Sequence, residues 1–223
     1  EMLSPRQAKA SPRLPKKSVA GSPSARIVTF GELMIRLSPP AGVRLVQARN
    51  FELNFGGAEA NVAVSLAHFG LDARFITALP PNELGDNASS TLRMHGVDTG
   101  FIVRKGQRMG VYYLEHGSGP RPSKVVYDRA RSAFSEISPS DFDWEKALEK
   151  AQWFHWTGIT PALGPSVEEA LRQGLKIAKK KGITVSADLN YRKTLWKEEK
   201  AREVMSGLMP FVDILVGNEE DPT

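Results

Sequence analysis

Two side chains near the middle of the chain could together bind a small acid. Tyr127 and Arg129 are two residues apart, so in an extended segment they project from the same side. A tyrosine ring can cover the carbon chain of an acyclic sugar acid, while a planar guanidinium group binds its carboxylate through two parallel hydrogen bonds. By spacing alone, a solvated arginine at a strand end beside a packed tyrosine is the commoner explanation.

A glycine pair opens another stretch that could face a ligand. Gly56 and Gly57 end an apolar segment, and glycine lets the backbone approach a neighbouring group closely. An alanine-rich helix with one apolar face is predicted to follow and to end at Gly70. In its first turn, the side-chain amide of Asn61 can point at a ligand or cap the local backbone. The stretch alone fits a ligand-binding turn or a plain glycine turn before a buried helix.

Polar clusters follow two predicted strands in the second half of the chain. Asp188, Asn190 and Arg192 come directly after an apolar strand predicted at residues 183–187, and the acidic run 218–221 follows a further strand. Open α/β sheets bind ligands at the carboxyl ends of their strands, where the first cluster falls. A turn with helix-capping residues would also explain the first cluster, and acidic residues complementing a helix dipole would explain the second.

The order of the predicted elements indicates an α/β fold. Strands and helices alternate in the second half of the chain, with helices predicted over 166–181 and 198–209 and strands at 153–157, 183–187 and 212–216. This alternation, with near-continuous apolar strands, predicts a parallel sheet covered on both faces. A helix is also predicted over 140–150. Shorter strands between glycine and proline turns are predicted at 34–37, 43–47, 51–55, 101–103, 111–115 and 124–127.

Composition limits the class of protein. A chain of 223 residues, 41% hydrophobic and 25% charged, is long enough for one α/β domain with a substantial core. It has no cysteine, which excludes disulfides and thiolate metal sites and fits a reducing, cytoplasmic location. The four histidines lack metal-ligand spacing, and no Walker-type nucleotide-binding loop occurs. No segment approaches the ~20 apolar residues of a membrane span.

The basic charge is concentrated at the N-terminus. Residues 1–25 hold five basic residues and one acidic residue, so they carry most of the net charge of +5. Their proline, serine and lysine content predicts a disordered leader or extension, and the same composition fits an organelle transit peptide. The rest of the chain is nearly neutral, so we do not expect it to bind nucleic acid.

The signature at residues 56–63 identifies a family. Gly-Gly-x-x-x-Asn-x-Ala, followed by a helix ending in Phe-Gly, resembles the N-terminal signature of the ribokinase-like (PfkB) sugar kinases. The resemblance runs from about residue 27 to 221 and is strongest to the family's 2-keto-3-deoxygluconate kinases. It implies an open, mostly parallel sheet with helices on both faces and a small β-sheet lid, with lid strands at about 34–55 and 101–127. Residues 26–223 would be the N-terminal part of a sugar-kinase domain truncated at its C-terminus.

The resemblance assigns roles to particular residues. The implied substrate-binding residues are Gly56, Gly57, Asn61, Tyr112, Tyr127, Arg129 and Arg192, with Tyr113 replacing Tyr112 if the register slips by one. Asn190 and Asn218 would lie near the nucleotide, and Glu220 and Asp221 would organise Mg²⁺ through water, although the family has a glutamate in place of Asp221. The implied reaction transfers the γ-phosphoryl group of ATP to the 6-hydroxyl of 2-keto-3-deoxygluconate.

The family's catalytic base has no counterpart in this sequence. That base is an aspartate in a Gly-Ala-Gly-Asp motif, which does not occur in the chain, so the resemblance places it beyond Thr223. We therefore expect the chain alone to be inactive and marginally folded. The alternatives are a fructokinase-like enzyme, a non-catalytic sugar-binding remnant, or a protein that interacts through its basic N-terminal segment. The resemblance also implies a homodimer formed through the lid strands.

Overall fold

A computed structural model describes residues 25–218, which leaves out residues 1–24 of the predicted leader and the predicted Mg²⁺ residues Glu220 and Asp221. The strands are β1 (Arg26–Phe30), β2 (Met34–Ser38), β3 (Glu52–Gly56), β4 (Asp72–Ile76), β5 (Ala78–Leu79), β6 (Val103–Arg104), β7 (Val111–Glu115), β8 (Lys124–Asp128), β9 (Ala151–Thr157), β10 (Thr184–Asp188) and β11 (Ile214–Val216). The α-helices are α1 (Ala58–His68), α2 (Glu83–Met94), α3 (Trp144–Ala147), α4 (Ile159–Ala162), α5 (Pro165–Lys180) and α6 (Glu198–Leu208). Short 3₁₀ helices lie at Leu45–Gln47, Pro139–Asp141 and Met209–Phe211.

The larger sheet organises the described part of the chain. Its strands are all parallel and follow the order β11-β10-β9-β1-β4. Side chains alternate between two buried faces, so Phe30 and Trp156 pack into one core while Phe75 packs into the other. Helices α5 and α6 supply side chains to the first core, and α1 and α2 supply them to the second. The predicted α/β fold, a mostly parallel sheet with helices on both faces, is confirmed.

Helix α5 shows how the sequence pattern produces this packing. Its apolar residues recur every three or four positions, so they share one face, and that face is buried: Val167, Ala170, Leu171, Leu175 and Ala178. Gly174 lies on the same side against Trp144, where a Cβ would sit 3.0 Å from the indole ring.

None of the helices within residues 25–218 combines the length and the apolar character needed to cross a membrane.

A second sheet of four strands, in the order β3-β2-β7-β8, forms the lid. Strands β2 and β3 are antiparallel, as are β7 and β8, while β2 and β7 run parallel. Ile35 is buried on the face that packs against the second core, and Arg36, Tyr112 and Tyr127 project from the opposite face. Every residue of β8 is exposed, and its outer edge has no strand partner in the described part of the chain.

Two predicted lid strands are wrong. The strand predicted at 43–47 is a 3₁₀ helix, because the Leu45 N–H donates to the buried Glu115 carboxylate at 2.8 Å and Val46 remains exposed. The strand predicted at 101–103 is β6, which pairs with β5 and not with the lid. The Val103 N–H donates to the Thr77 carbonyl at 2.9 Å, which holds this segment beside the larger sheet.

Two other elements are shorter than predicted. The helix predicted over 140–150 is reduced to α3, because Asp143 caps a new start by accepting from the Lys146 N–H at 3.2 Å, and Lys150 has a left-handed φ of 61°. Strand β11 begins two residues later than predicted. Its neighbour Asp213 donates its backbone N–H to the Val185 carbonyl at 2.9 Å, but its side chain and not its backbone carbonyl accepts from the Val185 N–H, also at 2.9 Å.

Candidate active site

The lid and the larger sheet border a cleft of about 570 Å³. On the sheet side it is lined by the loop after β1, the junction between β3 and α1, and the segments after β9 and β10. On the lid side it is lined by Tyr112 of β7 and Tyr127 of β8. Most of the sheet-side segments follow the carboxyl ends of parallel strands, where α/β sheets bind their ligands.

Most of the predicted site residues meet in this cleft. Its lining includes Gly56, Gly57, Asn61, Tyr112, Tyr127, Arg129, Asn190 and Arg192. Tyr113, the alternative to Tyr112, does not line the cleft and packs edge-on against Phe51, with ring centres 5.8 Å apart. Asn218 follows β11 and does not line the cleft either. Glu220 and Asp221 lie outside the described residues.

The glycine pair allows two close contacts in the cleft wall. A Cβ on Gly57 would lie 2.2 Å from the carbonyl oxygen of Glu32, which is a severe steric clash with the backbone. A Cβ on Gly56 would lie 2.4 Å from the hydroxyl oxygen of Tyr112. Glycine is therefore needed at 57 to seat α1 against the loop after β1, and at 56 to admit the Tyr112 hydroxyl.

Arg129 is held by a buried carboxylate that sequence reasoning missed. Glu32, only 4% exposed, accepts hydrogen bonds from Arg129 Nε at 3.0 Å, from Arg129 Nη2 and from Ser132 Oγ. Arg129 Nη1 makes no hydrogen bond within residues 25–218. The positive charge of Arg129 is therefore offset by Glu32, while one edge of its guanidinium group still has donors to offer.

Arg192 has a different environment. It is exposed in the loop after β10, and its guanidinium group forms neither an ion pair nor a hydrogen bond with any residue between 25 and 218. Two positions earlier, Asn190 has a left-handed φ of 38° and donates its N–H to Asp188 Oδ1 at 3.2 Å. This turn directs the loop along the cleft. The cleft thus contains one arginine whose charge is offset and one whose charge no residue in the described range 25–218 offsets.

The lid contributes an aromatic surface. Tyr112 and Tyr127 are cross-strand partners whose ring centres lie 5.9 Å apart with planes inclined at 35°. The Arg129 guanidinium carbon lies 5.8 Å from the centre of the Tyr127 ring. Burial raises the pKa of Tyr112, so its hydroxyl remains a donor at neutral pH. Tyr127 is 49% exposed, which leaves its ring open to a ligand.

A second buried carboxyl lines the cleft from the start of α1. Glu59 Oε1 accepts from the Thr157 N–H at 3.2 Å and from the hydroxyls of Thr157 and Thr160, each at 2.8 Å. Complete burial raises the pKa of Glu59, although hydrogen bonds to the carboxylate oppose that shift. Glu59 therefore ties α1 to the end of β9 and to α4 at the carboxyl edge of the sheet.

Sequence reasoning missed several lining residues, for different reasons. Glu32 could have been found, because it lies just past the carboxyl end of β1, the position that also pointed to Asn190 and Arg192. Met34 and Ile159 carry no such signal, because apolar residues near strand ends usually belong to a core. Between residues 25 and 218, no group of three or more His, Cys, Asp or Glu residues could hold a metal ion.

The fold and the cleft together define an α/β protein with a polar cleft between a parallel sheet and a β-sheet lid. The chain belongs to the pfkB family of carbohydrate kinases, which it matches over residues 24–222. The predicted family is therefore confirmed. Kinase chemistry on carbohydrates, a phosphoryl-transfer reaction, is the property of that family.

Individual relatives and solved structures also resemble this chain. The chain is 42% identical to a 2-dehydro-3-deoxygalactonokinase of Haloferax volcanii, over 89% of this chain and 62% of that protein. It resembles the crystal structure of a 2-dehydro-3-deoxygluconokinase from Thermotoga maritima with a TM-score of 0.87 and 56% identity, over 88% of this chain and 60% of that one. An uncharacterized sugar kinase from Pyrococcus horikoshii, solved in complex with ATP, gives a TM-score of 0.75 at 26% identity, over 85% and 62%. The chain spans about 60% of the length of these relatives.

Proposed function

We propose that this chain forms the sugar-binding wall of a kinase that transfers the γ-phosphoryl group of ATP to the 6-hydroxyl of 2-keto-3-deoxy-D-gluconate. The observation that carries the proposal is the meeting of Tyr127, Arg129 and Arg192 in one cleft. An aromatic ring beside two guanidinium groups suits a linear acid with a carboxylate at one end and hydroxyls along its chain. A neutral hexose would leave the charge of Arg192 without a partner in the part of the chain that the structure describes.

The geometry supports one orientation of this acid. The carboxylate would bind Arg192, whose charge no acidic residue within 25–218 offsets, and the remaining donor edge of Arg129. The rings of Tyr112 and Tyr127 would cover the carbon chain, and the Asn61 amide would hydrogen-bond hydroxyls from the first turn of α1. In this orientation, the polar ends of the ligand meet N–H groups of Arg192, Arg129 and Asn61 that have no hydrogen-bond partner among the described residues.

The relatives differ in the epimer of the acid that they are named for. Gluconate and galactonate derivatives of this acid differ only in configuration at C4. We place the gluconate derivative first because the Thermotoga maritima protein, at 56% identity, carries that name, whereas the galactonate-named relative is 42% identical. Titrating both epimers into the protein by calorimetry tests this order, and tighter binding of the galactonate derivative would reverse it.

For the nucleotide, we propose a site beside Asn190 and Asn218. These residues follow the paired strands β10 and β11, so both lie at the same edge of the larger sheet. Glu220 and Asp221 would hold Mg²⁺ through water, because this cation prefers oxygen ligands and usually keeps several waters. A cytoplasmic location, which the absence of cysteine favours, is also part of the proposal.

We also propose that residues 1–223 bind the sugar acid without turning it over, because the sequence contains no Gly-Ala-Gly-Asp motif. A coupled ADP-release assay with 2-keto-3-deoxygluconate and Mg-ATP tests this, with a longer chain carrying any sequence that follows Thr223 as the control. Turnover by the 223-residue chain would contradict the proposal. Sugar binding without turnover in both chains would favour the non-catalytic sugar-binding alternative.

A fructokinase-like activity is the second candidate, and Glu32 is the observation that favours it. Because Glu32 offsets the charge of Arg129, Arg192 is the residue of the described cleft lining whose charge would favour an acid over a neutral sugar. Our proposal expects Arg192→Gln to weaken binding of the acid about tenfold or more, the value of a charged hydrogen bond, and to leave fructose binding nearly unchanged. Equal losses for both ligands would favour the fructokinase-like reading. Arg172→Gln, on α5 and away from the cleft, is the matched control.

A homodimer through the lid is the last part of the proposal. The outer edge of β8 is unpaired within residues 25–218, and Val125 and Val126 of this strand are 41% and 43% exposed. Exposed edge strands readily pair with another strand. Sedimentation of Val125→Lys should show a shift toward monomer, whereas Ile214→Lys, equally exposed on β11, should leave the dimer intact. A dimer that survives Val125→Lys would place the interface elsewhere.

A further inference from the structure

We propose that Glu32 is a positioning residue for Arg129, and that by cancelling its charge Glu32 matches the cleft to a ligand with a single negative charge. The inference rests on the proposed function and adds to it a residue outside the sugar-binding motifs. Glu32 follows β1 of the larger sheet, whereas Arg129 follows β8 of the lid. The pair therefore also connects the two sides of the cleft.

The geometry fixes one edge of the Arg129 guanidinium group. Glu32 Oε2 accepts from Arg129 Nε and Nη2, and Glu32 Oε1 accepts from Ser132, which is itself buried. Gly110 provides the space, since a Cβ there would lie 2.8 Å from Glu32 Oε1 and 3.2 Å from Arg129 Cβ. With both oxygens occupied and no room to turn, the carboxylate holds Arg129 in one orientation.

The charges around the cleft support the match to a monoanion. Glu32 offsets Arg129, and Asp128 is paired with Arg108 through contacts of 2.9 and 3.0 Å. The third carboxyl of the lining, Glu59, is buried, which raises its pKa and favours its uncharged form. Arg192 is then the cation of the cleft lining without an acidic partner among the described residues. One carboxylate on the ligand would leave the occupied cleft close to neutral.

The Glu32–Arg129 pair predicts an effect that would not arise if Arg129 only anchored the ligand. Removing Arg129 alone leaves the buried Glu32 carboxylate without its cation and close to the ligand's carboxylate, so the two like charges repel. Removing the Glu32 charge as well abolishes that repulsion. We expect Arg129→Gln to weaken binding of the acid by about 100-fold and the double variant Glu32→Gln/Arg129→Gln to recover about tenfold of it.

The test is a calorimetric titration of the wild-type chain and these variants with 2-keto-3-deoxygluconate and with fructose. A structural role for the pair would change binding of both ligands together, whereas the charge coupling changes only binding of the acid. The pair Glu168 and Arg172, linked at 2.8 Å on α5, supplies the matched single and double control variants. A double variant that binds the acid no better than Arg129→Gln would overturn the proposal.

A measurement without ligand separates this proposal from the proposed function. In the ¹H–¹⁵N spectrum of the free chain, the Arg129 Nε–H should exchange slowly with water, lose that protection in Glu32→Gln and keep it in Arg192→Gln. Unchanged protection in Glu32→Gln would overturn the positioning role, even where Arg129→Gln fails to fold. If the wild-type chain shows the protected Nε–H but binds no sugar acid, the proposed function fails while the positioning of Arg129 stands.

Discussion

The two sides of the cleft are built differently. On the sheet side, Glu59 is fully buried and is held by Thr157 and Thr160, which are also buried. On the lid side, Tyr127 lies on an edge strand whose residues are all exposed. Buried hydrogen-bonded groups keep one geometry, while exposed edge strands have few contacts to restrain them. We infer that the sheet side fixes the position of the ligand and that the lid side adapts to it.

Substitution of Gly56 and Gly57 should show the largest difference between the two sides of the cleft. Gly57→Ala should lower the free energy of unfolding by about 3 kcal/mol, because the new Cβ would meet the backbone carbonyl of Glu32. Gly56→Ala should lower it by only about 1 kcal/mol, because the Tyr112 hydroxyl is the end of a side chain that can move. Urea denaturation measures both values. A larger loss for Gly56→Ala would show that the lid is the more rigid side.

Removal of the Tyr127 ring should weaken ligand binding and leave stability nearly unchanged. Tyr127→Ala should leave the free energy of unfolding within about 0.5 kcal/mol of wild type, since the residue is half-exposed on an edge strand. It should weaken binding of 2-keto-3-deoxygluconate about tenfold, because the aromatic cover is lost. Phe69→Ala, on a side chain that is 81% exposed and outside the cleft lining, is the control for both measurements. A large loss of stability without a loss of binding would mean that Tyr127 packs the lid and does not cover the ligand.

The pH dependence of stability should report the burial of Glu59 on the sheet side. The pKa of Glu59 is raised by burial, so between its ordinary value and the raised value the folded state binds more protons than the unfolded state. The contribution of Glu59 to stability is therefore complete below about pH 4.5 and is lost as the pH rises through the folded-state pKa. Glu59→Gln cannot titrate and should lack this loss.

The measurement is urea denaturation of wild type and Glu59→Gln from pH 4 to pH 8. Taking the difference between the two proteins removes the effect of other carboxyls, such as Asp98. Burial opposes ionisation of Asp98, but hydrogen bonds from the Gly100 N–H and the Arg74 guanidinium group outweigh it and lower its pKa. The stability of wild type relative to Glu59→Gln should fall as the pH rises. A constant or rising difference would contradict a raised pKa for Glu59.

Where the signals are local, the sequence predicted the fold and most of the residues that line the cleft. Strand–helix alternation gave the parallel sheet, and short motifs placed the glycine pair, Tyr127 and Arg192 at strand ends that meet in one cleft. The strand predicted at 101–103 is assigned to the wrong sheet, because the choice of sheet does not depend on local signals. Its apolar and β-branched residues indicate a strand, but they do not specify which sheet that strand joins.

Long-range pairing is the part that could not be predicted. Glu32 and Arg129 are separated by 97 positions, and Glu59 and Thr157 by 98. Spacing along a strand or helix reveals which neighbours share a face, but not which distant side chain completes a buried hydrogen-bond network. As a result, the sequence identified both arginines of the cleft but not the carboxylate that makes them unequal.

The most direct test of the central claim is to titrate 2-keto-3-deoxygluconate into ¹⁵N-labelled chain and follow the amide and arginine side-chain signals. We expect saturable shifts at Gly57, Asn190 and the Nε–H groups of Arg129 and Arg192, with the signals of α5 unchanged. Saturable shifts confined to residues outside the cleft, or no shifts at millimolar ligand, would contradict the claim that the cleft between the lid and the larger sheet binds a sugar acid.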